Sequence, residues 1–208
     1  MHSKNIQTAG KSLQEANSAL IMLHGRGGSA GDMLGLAPYL EVADYALLAP
    51  QATNNTWYPN SFLANPQENE PWLTSALNVL EELVHDVKEQ GIDQKNIYLL
   101  GFSQGACLTL EFAARHATRY GGLVALTGGL IGDQVQADKY SGDFKGTPAL
   151  VTTGNPDPHV PVERVNASVG ILEELHAKVH MQVYEGRPHT VTQDEFHRAN
   201  QLVFTTSP

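Results

Sequence analysis

Gly101-Phe102-Ser103-Gln104-Gly105 fits the pattern G-x-S-x-G. An apolar run over 97–100 ends at this motif and a helical pattern over 106–116 begins after it. A strand–turn–helix of that kind needs small residues on both sides of the serine so that the two segments do not collide. It lifts the hydroxyl out of the sheet and sets it at a helix N-terminus, where N–H groups favour developing negative charge. The chemistry this suits is nucleophilic attack on a carbonyl. The plainer alternative, a serine that only caps the helix, asks for no such context.

A serine hydroxyl needs a base. When the nucleophile sits on such an elbow, the partners follow in the order serine, acid, histidine. Five histidines lie far enough downstream: His159, His176, His180, His189 and His197. His176 and His197 fall on predicted helices and His180 inside a predicted strand. His189 falls in a loop just past the last strand, where open α/β sheets carry their working groups, and is taken as the base, with His159 behind it. Among the intervening acids, Asp133, Asp138 and Asp143 lie in a polar stretch that reads as solvated loop. Asp157 lies just past a strand end in Gly154-Asn155-Pro156-Asp157-Pro158-His159-Val160-Pro161. Three prolines stiffen that loop, which suits a carboxylate that orients His189 and stabilises its charged form. The competing role is an N-cap for the helix starting near 162.

Acyl transfer also needs two donors for the oxyanion. One is the N–H of Gln104, after the nucleophile. The other belongs to the loop Leu23-His24-Gly25-Arg26-Gly27-Gly28, and Arg26 N–H is the expected donor. The same loop formally fits a dinucleotide fingerprint through Gly25, Gly27 and Ala30. The acidic residue that should end the following strand is absent, since that strand ends Leu48-Ala49-Pro50-Gln51. The pair His176 and His180 lacks the glutamate of a zinc helix. Cys107, one turn beyond Ser103, reads as a packed core thiol.

These residues need a scaffold, and the patterning supplies one. Apolar runs at 19–23, 45–49, 97–100, 122–127, 149–153 and 179–184 suit strands buried on both faces of a parallel sheet. Helical patterns at 73–87, 105–118, 162–178 and 192–204 alternate with them. Residues 5–18 add an edge strand or a hairpin. The expected fold is a doubly wound, mostly parallel α/β sheet in one domain spanning 1–208, with no separate lid domain. The stretch from Pro50 to Pro71 has no period yet carries Trp57, Tyr58 and Phe62, with Trp72 beside it. These aromatics either plug the core or wall a substrate site; Trp57, Tyr58 and Phe62 are taken as candidate substrate-binding residues.

The 208 residues carry 22 acidic and 13 basic groups, a net charge of −9. That argues against a nucleic-acid partner and against docking on anionic lipid. The single cysteine permits no intrachain disulfide, and no run approaches a membrane span. With no secretory pattern at the start, the expected compartment is the cytoplasm. A homodimer through an exposed apolar edge is left open.

Taken together, the HGRGG loop, Ala49-Pro50-Gln51, Trp57-Tyr58, the GFSQG elbow, Gly154 with Asp157 and Val160-Pro161, and His189 resemble the small carboxylesterase and acyl-protein thioesterase family of α/β-hydrolases, often labelled phospholipase/carboxylesterase. The resemblance spans nearly the whole chain. It implies an α/β-hydrolase fold and a triad of Ser103, Asp157 and His189, with Arg26 and Gln104 as oxyanion donors. It implies hydrolysis of small esters or thioesters through an acyl-enzyme, without cofactor or metal. Two positions depart from the family: Arg26 stands where many members carry an apolar residue, and Pro188 where they carry glycine. A guanidinium at the site mouth suits an anionic or polar ester better than a long acyl chain. Dienelactone hydrolases share the fold but carry cysteine where this chain has Ser103. The rival reading is a non-catalytic, ligand-binding member of the fold.

Overall fold

The computed structural model of the chain describes residues 1–205; the last three residues of the predicted 1–208 domain lie outside them. Seven strands form one sheet: β1 (Ile6–Gly10), β2 (Ala19–Leu23), β3 (Ala46–Pro50), β4 (Ile97–Phe102), β5 (Gly122–Leu126), β6 (Pro148–Asn155) and β7 (Lys178–Glu185). Their order is β1-β3-β2-β4-β5-β6-β7. Only β1 runs antiparallel, against β3, so residues 5–18 supply an edge strand and not a hairpin. Among the described residues five α-helices accompany the sheet: α1 (Ala30–Leu34), α2 (Trp72–Glu89), α3 (Gln104–Arg115), α4 (Val162–Glu174) and α5 (Gln193–Leu202).

The continuous apolar runs are explained by burial on both faces. Alternate residues of β2 point to opposite sides. Ala19, Ile21 and Leu23 join a core with Leu73 and Leu80 of α2, Leu108 of α3 and Val165 of α4. Leu20 and Met22 join a second core with Met33 of α1 and Phe196 of α5. The sheet is therefore doubly wound, as the alternation of patterns predicts. Among the described residues no inserted lid domain stands over it, and no helix is long and apolar enough to cross a membrane.

The predicted helix over 162–178 stops at Glu174. The N–H of His176 donates to Glu173 O at 2.9 Å and that of Ala177 to Leu172 O at 2.9 Å, with His176 at φ 63. This is a Schellman stop. Its left-handed position holds histidine where glycine is usual, so no glycine marks the stop, and His176 lies off the helix. The predicted helix over 105–118 likewise ends at Arg115.

The parallel strands end together along one edge. Leu23 pairs with Gly101, Phe102 with Leu126, Leu126 with Thr152, and Asn155 with Glu185. The loops after β2, β4, β6 and β7 therefore emerge side by side. The irregular stretch after β3 folds over that edge, stiffened by short 3-10 turns at Thr53–Asn55 and Pro66–Asn69. His2 wedges between Trp57 and Trp72, with ring centroids 5.4 and 5.3 Å away. Its Nδ1 accepts from the N–H of Thr53 at 3.1 Å, which leaves Nε2–H to donate to Trp57 O at 2.8 Å.

Candidate active site

Ser103 follows β4 directly and precedes α3, with φ 53 and ψ −117. A side chain in that region of backbone space carries strain of about 1–3 kcal/mol, tolerated where the surroundings over-determine it. Here they do. The Ser103 N–H is held by Leu126 O at 3.0 Å, and Ser103 O accepts from Cys107 N–H at 3.0 Å. The flanking glycines answer to close approach. A Cβ on Gly101 would strike the Gly105 carbonyl, and one on Gly105 would strike the carbonyl of Leu23. Although Ser103 stands at the N-cap position, its hydroxyl makes no capping bond.

The hydroxyl turns instead to His189. Ser103 Oγ lies 2.8 Å from His189 Nε2, and His189 Nδ1 lies 2.8 Å from Asp157 Oδ2. The other carboxylate oxygen of Asp157 accepts the N–H groups of His159 at 2.8 Å and Val160 at 3.0 Å. Asp157 is therefore not the cap of α4, whose N-cap position is Pro161. Burial by itself would raise the Asp157 pKa. The bonds from His189 and the two N–H groups outweigh it and hold the carboxyl below its ordinary value. The ring of His159 meets His189 edge to face at 5.0 Å and adds no second base contact to Ser103. Asp143 is exposed and bonds Lys145 N–H and His176, away from this cluster.

The loop after β2 lies against the elbow: a Cβ on Gly25 would stand 3.4 Å from Ser103 Cβ. In that loop Gly27 N–H donates to Asn55 O and Gly28 N–H to Gly25 O. Arg26 N–H is left without an acceptor among the described residues. Gln104 N–H belongs to the first turn of α3, where the helix itself supplies no acceptor. His24 is buried beneath the loop. Its Nε2 accepts from Ala52 N–H at 3.1 Å, so Nδ1–H donates to Gly25 O at 2.7 Å, and burial lowers its pKa.

The Gln104 side chain serves the aromatic stretch. Its Oε1 accepts from Trp57 N–H at 2.8 Å and its Nε2 donates to Tyr58 O at 2.8 Å. The three predicted aromatics divide. Trp57 is wholly buried, donates its Nε1–H to His24 O at 2.9 Å, and lies outside the cavity lining. Its expected place at the substrate is corrected: a polar indole edge needs a buried acceptor, and His24 O provides one. Tyr58 and Phe62 do line a cavity of about 620 Å³, together with Ser103, His189 and Arg26. Cys107 lies at its base, buried, its thiol pushed up to about 12 by desolvation.

Sequence reasoning missed the residues behind His189. Arg187 is buried and donates to Glu195 Oε2 at 2.6 Å and to Thr127 Oγ1 at 2.6 Å. Glu195, also buried, accepts from Thr152 Oγ1 at 2.5 Å and from Thr192 N–H at 2.8 Å. The spacing Thr192-x-x-Glu195 is a capping box and was visible as such. No one-dimensional signal joins it to Arg187.

Comparison with known proteins places this arrangement. The profile described as Phospholipase/Carboxylesterase matches residues 5–207. Acyl-protein thioesterase 1 of Kluyveromyces lactis is 26% identical over 202 residues, covering 88% of this chain and 89% of that protein. The crystal structure of a phospholipase/carboxylesterase from Dyadobacter fermentans superposes with a TM-score of 0.97 at 52% identity, covering 98% of both chains. Arabidopsis thaliana SOBER1 shares the fold, with a TM-score of 0.74 at 20% identity over 88% of this chain and 96% of its own. The doubly wound sheet is thus an α/β-hydrolase fold, the chain is a hydrolase of the carboxylesterase and thioesterase type, and it belongs to the phospholipase/carboxylesterase family.

Proposed function

We propose that the protein hydrolyses small carboxylic esters, thioesters among them, through an acyl-serine on Ser103. The observation that carries this reading is the continuous chain from Ser103 Oγ through His189 to Asp157, both links at 2.8 Å, opening on the cavity. Ser103 Oγ attacks the carbonyl carbon while its proton passes to His189 Nε2. Asp157, bonded at Nδ1, holds the ring and stabilises the imidazolium. The tetrahedral oxyanion is received by the N–H groups of Arg26 and Gln104. Loss of one such donor typically costs about 2.7–4 kcal/mol of barrier. His189 then protonates the leaving alkoxide or thiolate. Water, deprotonated by the same imidazole, releases the acid from Ser103.

Tyr58 and Phe62 wall the substrate, and Trp57 supports them from behind. A cytoplasmic setting is part of the proposal; a chain with one cysteine does not depend on a disulfide and suits a reducing compartment. A module that only binds would have no need of a strained serine held against a histidine. The test is turnover of p-nitrophenyl esters from acetate to octanoate by the wild type and by Ser103→Ala. Activity lost in the variant, with fluorophosphonate labelling lost as well, supports the reading. A folded wild type that turns over no ester and takes up no fluorophosphonate overturns it.

A further inference from the structure

The cavity over Ser103 is lined by no aspartate or glutamate, in a chain whose acids outnumber its bases by 22 to 13. The triad carboxylate lies behind His189, fully buried and paired with it. Arg26 is the one arginine of the lining, and its guanidinium is anchored to two other lining residues. It donates from Nη1 to Pro59 O at 2.9 Å and from Nη2 to Asn60 O at 2.7 Å. Both acceptors are neutral carbonyls, so the charge is fixed in place without being neutralised. Among the described residues no carboxylate stands within 4 Å of it. A guanidinium has five N–H donors, and three remain unspent. The positive end of α3 points into the same space. Tyr58, Phe62 and Leu63 add apolar wall to the lining, beside the polar Asn60 and Ser61.

This geometry points to an ester that carries one free carboxylate, received by the Arg26 guanidinium while Ser103 attacks the ester carbonyl. A planar guanidinium pairs with a carboxylate through two parallel hydrogen bonds, and here two other bonds have already fixed its plane. Apolar walls beside it suit a short methylene chain between ester and carboxylate. The inference rests on the proposed esterase reading and names its substrate class: monoesters of short dicarboxylic acids, or acylated hydroxy acids.

The test compares matched pairs. Monoethyl succinate, glutarate and adipate are each set against the corresponding primary amide, which keeps the shape and removes the charge. 3-Acetoxypropionate against its amide tests the carboxylate on the alcohol side. Ethanol or acetate release gives kcat/KM for each at low and at high salt. In the wild type at least one acid is expected to exceed its amide tenfold or more, and the advantage shrinks as salt rises. In Arg26→Met the ratio of acid to amide falls toward one, whatever happens to the absolute rates. Amides turned over as fast as the acids at every length overturns this inference and leaves the esterase reading standing. An acid preference that survives Arg26→Met overturns the assignment to Arg26. Absence of turnover on amides, acids and p-nitrophenyl esters alike overturns the reading beneath it.

Discussion

Arg187 Nη1 lies 2.6 Å from Glu195 Oε2, and both side chains are buried under the turn that carries His189. The pair joins the turn after β7 to the first turn of α5, and through Thr127 and Thr152 to the end of β5 and to β6. His189 is two residues from Arg187, so its position is set by a network that never touches Ser103.

Glu195→Gln therefore leaves the Arg187 charge buried and unpaired. Breaking a buried pair in this way costs about 3–5 kcal/mol, a fall in melting temperature of roughly 10 °C for a chain of this size. The double change Arg187→Met with Glu195→Met removes both charges and is expected to regain part of that loss. It should not regain kcat, because the His189 turn stays untied. Thermal unfolding beside steady-state kinetics separates the two effects. Equal recovery of both would show the pair to be structural only.

Ser103 at φ 53 predicts an unusual order of stability. Both Ser103→Ala and Ser103→Gly remove the hydroxyl proposed as the nucleophile. Glycine alone accepts this backbone without steric cost. Ser103→Gly should be more stable than Ser103→Ala by about 1 kcal/mol. Denaturant midpoints of the two variants decide it, and an alanine variant equal to or above glycine would deny the strain.

Gln104 carries two duties on one residue. Its backbone N–H is one of the two proposed oxyanion donors, whereas its amide ties Trp57 N–H and Tyr58 O. Gln104→Leu keeps the first and deletes the second, stranding two backbone groups at about 1–3 kcal/mol. With the Tyr58 wall loosened, KM on short esters should rise by more than kcat falls. A drop in kcat at constant KM would place the amide in the transition state instead.

Burial lowers the pKa of His24, and of His2 beside Trp57. A histidine held neutral in the fold binds its proton more readily when unfolded. Stability is then full above the unfolded value near 6.5 and is lost as pH falls below it toward the lowered folded values. Protonation of His24 Nε2 would also displace the N–H of Ala52. The melting temperature should decline between pH 7 and pH 5, and His24→Gln should flatten that decline even if it starts lower. An unchanged slope in the variant would remove His24 from the effect.

The sheet and the line from Ser103 to His189 were legible because each rested on a local pattern. The elbow had its glycines, the strands their apolar runs, and Asp157 and His189 their places after strand ends. What stayed hidden depended on neighbours in space. Trp57 and Tyr58 are adjacent and both buried, yet only Tyr58 belongs to the cavity lining. That division is set by Gln104, 47 residues from Trp57. The end of α4 was missed because His176 occupies a left-handed position normally marked by glycine. Arg187 reads as a loop cation until α5 brings Glu195 against it.

Because β2, β4, β5, β6 and β7 run parallel, every connection that enters them lies at the edge of the sheet opposite Ser103. The turns at 90–93 and 141–146 belong to that far side, with Gly91, Gly142 and Gly146 all at positive φ. The molecule thus has a working rim and a handling rim. An affinity tag, a fused domain or a surface tether inserted at either turn would hold the protein by its back, with the mouth of the cavity turned toward the solution.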